Sequence, residues 1–272
     1  MNSAEITRQA KSNLAFALHV LPKDVRDDMV VFYAFCRVID DIADDEKDTV
    51  VCRKEHLSHW RKGVLSGFDH PNPFQLEVMQ LIARHDIPRD LMAAIIDGCA
   101  MDTEPLRFNS WEDLQQYTWK VACAVGLISV RLFGAQGEIA EKYAVNLGHA
   151  LQLTNIMRDV REDLDNGGRI YLPLDDLHRF DYSEQDLLDR VYDTRFVAMM
   201  SMQAQRADAL YRKAEECLAQ LDGKILVASE IMREIYSGVL TLMREDQFRV
   251  FDKRYRLSKL QKIAIFTRHM MS

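Results

Sequence analysis

Two stretches of this chain set short acidic side chains at helical spacing within apolar runs. The first is Tyr33-Ala-Phe-Cys-Arg-Val-Ile-Asp-Asp-Ile-Ala-Asp-Asp45, and the second is Gln152-Leu-Thr-Asn-Ile-Met-Arg-Asp-Val-Arg-Glu-Asp163. At about 100° per residue, with Tyr33 at zero, Arg37 falls near 40°, Asp40 near −20° and Asp44 near 20°, while Phe35, Ile39 and Ile42 lie on the far side. In the second stretch Gln152, Asn155, Asp159 and Asp163 span only about 80°, beside an apolar stripe of Leu153, Ile156, Met157, Val160 and Leu164. Two such faces turned toward each other would form a cage of carboxylate oxygens for hard divalent cations. The usual ligand of that cage is a substrate diphosphate, because Mg²⁺ takes a few carboxylates plus phosphate oxygens. The competing reading is a pair of solvated acidic faces. A solvated face favours Lys and Glu in mixture. Here Asp and Asn, poor helix formers, recur in register, with Arg37 and Gln152 one turn upstream.

The elements that must hold these residues read as helices nearly throughout. There are six prolines, none after Pro173, and no run alternates at period two. Asn72-Pro-Phe-Gln75 reads as an N-cap, a proline at the first helical position and a capping-box glutamine. Ser110-Trp-Glu-Asp113 and Ser183-Glu-Gln-Asp186 are similar openings. The pattern predicts helices at roughly 3–20, 24–45, 49–66, 73–85, 88–101, 111–133, 136–165, 184–220, 223–247 and 257–270. Asn166-Gly-Gly-Arg-Ile-Tyr-Leu-Pro173 interrupts this pattern directly after the second acid stretch, which puts a loop at the mouth of the expected site. Repeats, low-complexity tracts and linkers are absent, so residues 1–272 are expected to form one domain.

The composition, 48% hydrophobic and 28% charged, is that of a soluble globular protein, and a formal charge of −7 argues against a nucleic-acid surface. Leu14–Leu21 is too short to span a bilayer and lacks the cleavage site of a signal peptide; Ile263-Ala-Ile-Phe266 is too short to be an anchor. The five cysteines (36, 52, 99, 123 and 217) are scattered, with no C-x-x-C, and Cys36 and Cys123 lie in apolar helical runs. Buried reduced thiols and a cytoplasmic protein are expected. His56 and His59 are spaced i, i+3 but have no third ligand in view. Neither a Gly-rich nucleotide fingerprint nor a G-x-S-x-G elbow is present.

At these residues the chain resembles the squalene/phytoene synthase family, the head-to-head prenyl transferases. The resemblance runs from Leu21-Pro22 to the last helix. It is carried by residues 33–44, by Val121-Ala-x-x-Val-Gly126, by Leu151-Gln-Leu-x-Asn-Ile-x-Arg-Asp159 with Glu162-Asp163, and by Gly168-Arg-x-Tyr-Leu-Pro173. It implies an all-α isoprenoid-synthase-type helical bundle around a central cavity. It also implies that Asp40, Asp44, Asn155, Asp159 and Asp163 hold Mg²⁺, with Mn²⁺ as an admissible substitute. Arg37, Gln152, Arg158 and Arg169 match polar positions near the diphosphates, and Tyr33 and Tyr236 match aromatic positions lining the cavity. For the two tyrosines plain core packing is the alternative.

Within the family, residues 121–134 look most like bacterial presqualene diphosphate synthases. The implied activity is Mg²⁺-dependent 1′-1 condensation of two farnesyl diphosphates to presqualene diphosphate, with release of diphosphate. The alternative continues to squalene, dehydrosqualene or phytoene. Outside enzymes, the competing class is a non-catalytic helical assembly or binding homologue, which would have eroded acid motifs. Two departures stand out. Lys120 occupies a position where squalene- and phytoene-forming relatives often carry Tyr, and Asn13-Leu14 stand where Ser-Phe is common. Lys120 facing the cavity would hold diphosphate or repel later carbocations; facing solvent it would do neither. With no nucleotide site recognisable, NADPH is not expected. The expected partner is a prenyl diphosphate, with no nucleic acid and no transmembrane segment; peripheral membrane contact is left open.

Overall fold

In the computed structural model, which describes residues 3–9 and 17–271, the long amphipathic periods become long helices, and among the described residues all regular elements are helical. They are α1 (Ser3–Gln9), a 3₁₀ turn (Leu18–Val20), α2 (Lys23–Asp44), α3 (Val50–Ser66), α4 (Pro73–Arg84), α5 (Arg89–Met101) and α6 (Trp111–Thr118). A π-helical turn (Trp119–Cys123) joins α6 to α7 (Ala124–Leu132). Then follow α8 (Glu138–Asp165), α9 (Leu174–Arg179), α10 (Glu184–Leu188), α11 (Thr194–Leu218), α12 (Val227–Glu245) and α13 (Lys259–Met271).

The three expected openings form as capping boxes. In each, the Asn72, Ser110 or Ser183 side chain accepts from the third helical N–H, and the side chain of Gln75, Asp113 or Asp186 accepts in return from the cap N–H. Three expectations need correction, and a fourth is described only in part. The helix expected over 3–20 is described only at its two ends; Asn13 and Leu14 lie outside the described residues. The helix expected over 184–220 is two helices, because the chain turns at Arg190 (φ 55°) and Asp193 restarts it, accepting from the N–H groups of Arg195 and Phe196. The short α9 was not expected at all. The helix expected over 111–133 carries the π turn in its middle.

α8 runs through the centre. Its largest packing partner is α11, and it also meets α7, the π turn and α12. Gly148 allows the closest approach: a Cβ there would lie 2.8 Å from Cys123 Cα, so any side chain would push the π turn off α8. Thr118 Oγ1 and His149 Nδ1, 2.7 Å apart, pin the same seam, and burial lowers the imidazole to about 4, leaving it neutral. On the other side α2 packs against α3, α4 and α5, burying Met29, Phe32, Phe35 and Ile39. Each such side chain is worth about 1.5–3 kcal/mol relative to exposure. The two acid-bearing helices thus belong to opposite walls, joined through α5 and the π turn.

Candidate active site

α2 and α8 have an unusual property in common. Each ends in a cluster of carboxylates, Asp40, Asp41 and Asp44 on one and Asp159, Glu162, Asp163 and Asp165 on the other, and neither has a basic residue in its last turn. The helix dipole favours cations at that end, so both ends are electrostatically incomplete. They converge on one cleft lined by Asp40, Ala43, Asp44, Asp102, Tyr117, Gln152, Asn155, Ile156, Asp159, Asp163, Arg169 and Tyr171. The arrangement of facing acids inferred from sequence is therefore present.

On the α2 wall, Asp40 accepts from Arg37 Nη1 at 3.0 Å, and Arg37 also pairs with Asp41 at 2.5 Å. Partial withdrawal from solvent, with the charge of Asp44 added, raises Asp40 to about 6. On the α8 wall, Asp159 accepts from Arg158 Nε at 2.8 Å and is 3.0 Å from Arg254 Nε, while Arg254 Nη1 lies 2.9 Å from Glu162. Burial, with the charge of Asp159 added, raises Asp163 to about 8. Asn155 Nδ2 donates to Gln152 Oε1 at 3.4 Å, and its buried Oδ1 has no hydrogen-bond partner.

The loop after α8 closes this cleft. Gly167 and Gly168 adopt positive φ (76° and 69°), a conformation that favours glycine, and reverse the chain so that Arg169 N–H donates to Asp163 O at 3.0 Å. Arg169 Nη2 then donates to Asp44 Oδ1 and to the Asp102 carbonyl, both at 2.9 Å. Tyr171 OH donates to Asp102 Oδ1 at 2.7 Å, and Tyr117 OH donates to Asp102 Oδ2 at 2.8 Å. The loop's far end is anchored where Asp176 of α9 accepts from Gln203 Nε2 at 2.9 Å and from Arg206 of α11.

Of the residues singled out from sequence, Asp40, Asp44, Gln152, Asn155, Asp159, Asp163 and Arg169 line the cleft. Arg37 and Arg158 are tied to its carboxylates. Tyr236 stacks under Arg158, 5.8 Å from ring centre to guanidinium carbon, and Tyr33 lies partly buried on α2; neither lines the cleft. Lys120 runs along α5, its Nζ 3.8 Å from Met101 Sδ, also outside the lining. Three participants were missed, Asp102, Tyr117 and Arg254, and Tyr171 was quoted within a motif without a role. Asp102 is a lone acid at the end of α5 with no i, i+4 companion, and Arg254 lies in an irregular segment. Nothing in their local sequence marks them.

The donor set fits a hard cation: carboxylates, an amide oxygen left unpartnered, and two helix ends that lack positive charge. Among the described residues no three carboxylates already converge to hold one ion by themselves. That suits Mg²⁺, which keeps several waters and completes its shell with phosphate oxygens.

An all-helical bundle with acids facing across a cleft defines the class, and the comparisons define the family. The chain matches squalene/phytoene synthase over residues 7–261, and it belongs to that family. It is 32% identical over 261 residues to a presqualene diphosphate synthase of Zymomonas mobilis, covering 95% of this chain and 89% of that one. It is equally 32% identical, over 270 residues, to a 15-cis-phytoene synthase of Synechocystis, covering 92% and 79%. Among solved structures, a ligand-bound dehydrosqualene synthase aligns with TM-score 0.84 at 25% identity, covering 99% and 94%. A squalene synthase of Alicyclobacillus acidocaldarius aligns with TM-score 0.82 at 23% identity, covering 90% and 93%, and shares the fold.

Proposed function

We propose that the protein condenses two farnesyl diphosphates head to head (1′-1) into presqualene diphosphate, releasing diphosphate, with divalent cations held by Asp40, Asp44, Asn155, Asp159 and Asp163. The observation that carries this reading is the pair of acid-rich helix ends facing one cleft, with the Asn155 oxygen buried and unpartnered. Bound Mg²⁺ would supply Lewis acidity to the leaving diphosphate. Around it the chain's own cations, Arg37, Arg158, Arg169 and Arg254, hold the acids in place and offer donors to phosphate oxygens. The C1–O bond of the first substrate breaks with its electron pair leaving on diphosphate. The C2–C3 alkene of the second attacks the allylic cation, and transfer of a proton from C1 of the first to the released diphosphate closes the cyclopropane. Ala43 and Ile156, the aliphatic residues of the cleft lining, would shield the cation from water on their side.

The equal likeness to a phytoene synthase supports a second reading, in which the reaction continues to a C30 or C40 polyene. Lys120 points along α5 and not into the cleft lining, so an early stop does not rest on its charge. The test is incubation with Mg²⁺ and farnesyl or geranylgeranyl diphosphate, with and without NADPH, followed by mass spectrometry of extracted products. Presqualene diphosphate as the accumulating product supports the first reading. Squalene with NADPH, or dehydrosqualene or phytoene without it, supports the second. No consumption of either substrate would refute both.

A further inference from the structure

The last helix, α13, carries a feature that the cleft does not use. Eight large apolar side chains are exposed among the described residues, and four belong to this one helix: Leu260 (79% exposed), Ile263 (53%), Met270 (57%) and Met271 (83%). With Leu260 at zero and about 100° per residue, Ile263 falls near −60°, Met270 near −80° and Met271 near 20°. Ala264 and Thr267, also exposed, fall near 40° and −20° by the same geometry. Ile265, the buried residue of the helix, lies near 140°, on the opposite side. One side is therefore seated on the body, and the other presents a continuous uncharged stripe. Lys259 near −100° and Arg268 near 80° border it on the two edges.

Charge on this segment runs against the rest of the chain. From Lys253 onward there are six Lys and Arg residues and no acid, in a protein of formal charge −7. Lys253, Arg254 and Arg268 pair with Asp246, with Asp159 and Glu162, and with Glu234, which fastens the segment to the body beside the acid cleft. Arg256 and Lys259 are exposed on the same segment.

We propose that α13 is a docking surface for an anionic lipid bilayer, its apolar stripe entering the headgroup boundary and the exposed Arg256 and Lys259 of its basic rim meeting the lipid charge. An amphipathic helix with an apolar face and Lys/Arg flanks lies in a membrane interface, and basic segments are drawn to anionic headgroups. It does not span, since no described helix is long and apolar enough to cross a membrane. A second copy fits less well. The helix is only about 20 Å long, too short to supply the roughly 800 Å² per partner of a stable interface. A two-fold contact would also set a basic rim against a basic rim. The Arg254 pairing places the surface next to the cleft, where a substrate with a long hydrocarbon tail, on the proposed function, would arrive from a membrane. The docking itself does not depend on that function.

The test is co-sedimentation of the protein with vesicles of phosphatidylcholine alone and of phosphatidylcholine mixed with phosphatidylglycerol. The protein should pellet with the mixed vesicles only, and less in high salt. The triple variant Leu260→Ser, Ile263→Ser, Met271→Ser should bind at least about tenfold more weakly, with unchanged circular dichroism. A separate Leu260→Trp variant should show a blue-shifted emission on mixed vesicles, a readout that needs no disruption of the stripe. Absence of binding to anionic vesicles, or full binding by the triple variant, would overturn the proposal. So would a wild-type dimer that the triple variant dissolves, which would assign the stripe to a second copy.

Discussion

The two acid-bearing helix ends reach similar chemistry by different surroundings. On α2, Asp40 and Asp44 are about half exposed, at 51% and 52%, the first paired with the exposed Arg37 and the second with Arg169 of the closing loop. On α8, Asp159 is only 17% exposed and sits between Arg158 and Arg254, with Tyr236 packed under the first of these. One wall is open and adjustable, while the other is buried and braced. The difference assigns them unequal work. On the proposed function, the braced wall would fix where a diphosphate sits and the open wall would admit and release it.

The largest expected effect tests whether both walls serve one cage. Asp159→Asn should lower turnover at limiting Mg²⁺ by about 10²–10³-fold while circular dichroism stays native, because it removes a ligand charge and leaves two arginines uncompensated. Asp40→Asn should fall in the same direction. Near-wild-type rates in either variant would break the cage.

Next is the bracing of the α8 wall. Arg254→Ala should raise KM for the prenyl diphosphate by roughly tenfold, the worth of one charged hydrogen bond, and change kcat less. Arg37→Ala, on the open wall, should do less. Equal effects from the two would remove the distinction between the walls.

A smaller effect concerns stability and its sign. Asp163 is raised to about 8 in the folded protein, so between about pH 4 and 8 the native state holds a proton that the unfolded chain has lost. Stability of the metal-free protein should therefore fall as pH rises through this window. Asp163→Asn should remove the part of that fall between about pH 6 and 8, Asp40 still contributing below it, and be more stable at pH 8 by about 0.5–2 kcal/mol, with the gap closing near pH 4. Thermal melts in EDTA at several pH values measure it, and a wild type that gains stability relative to the variant as pH rises would show the opposite linkage.

The smallest effect is on the closing loop. Tyr117→Phe removes one of the two hydroxyls that bond Asp102, and should cost about 1 kcal/mol in a denaturant melt. No change would mean that Asp102 is held by Tyr171 alone.

What could be read from sequence followed from local order. The stripes on α2 and α8 were legible because side chains one turn apart must stack, and the three capping boxes because cap and partner are three residues apart. The loop at 166–173 announced itself through two glycines and a proline. Asp102 was hidden because its partners, Tyr117 and Tyr171, come from another helix and from that loop, and only the packing of α5 against the π turn brings the three together. Arg254 reaches Asp159 across 95 residues of chain. The break between α10 and α11 had a local signal in Asp193-Thr194, a cap before an apolar run, which the strong helical period on both sides masked. The π turn has no local signal; what can be seen is its close seam against Gly148.

That π turn has a consequence for how the chain tolerates change. An ordinary helix from Trp111 to Leu132 advances about 100° per residue, so one residue more or less rotates everything downstream by that angle. The wide turn at Trp119–Cys123 absorbs such a rotation. Tyr117 can thereby face Asp102 on one side of it while Gly126 lies against Ala144 on the other. It works as a phase adjuster between two halves of one rod. The half bearing Tyr117 keeps its angle to the cleft and the half bearing Gly126 keeps its angle to the core, and removing a single residue between them would be taken up by closing the wide turn to an ordinary α-helical one.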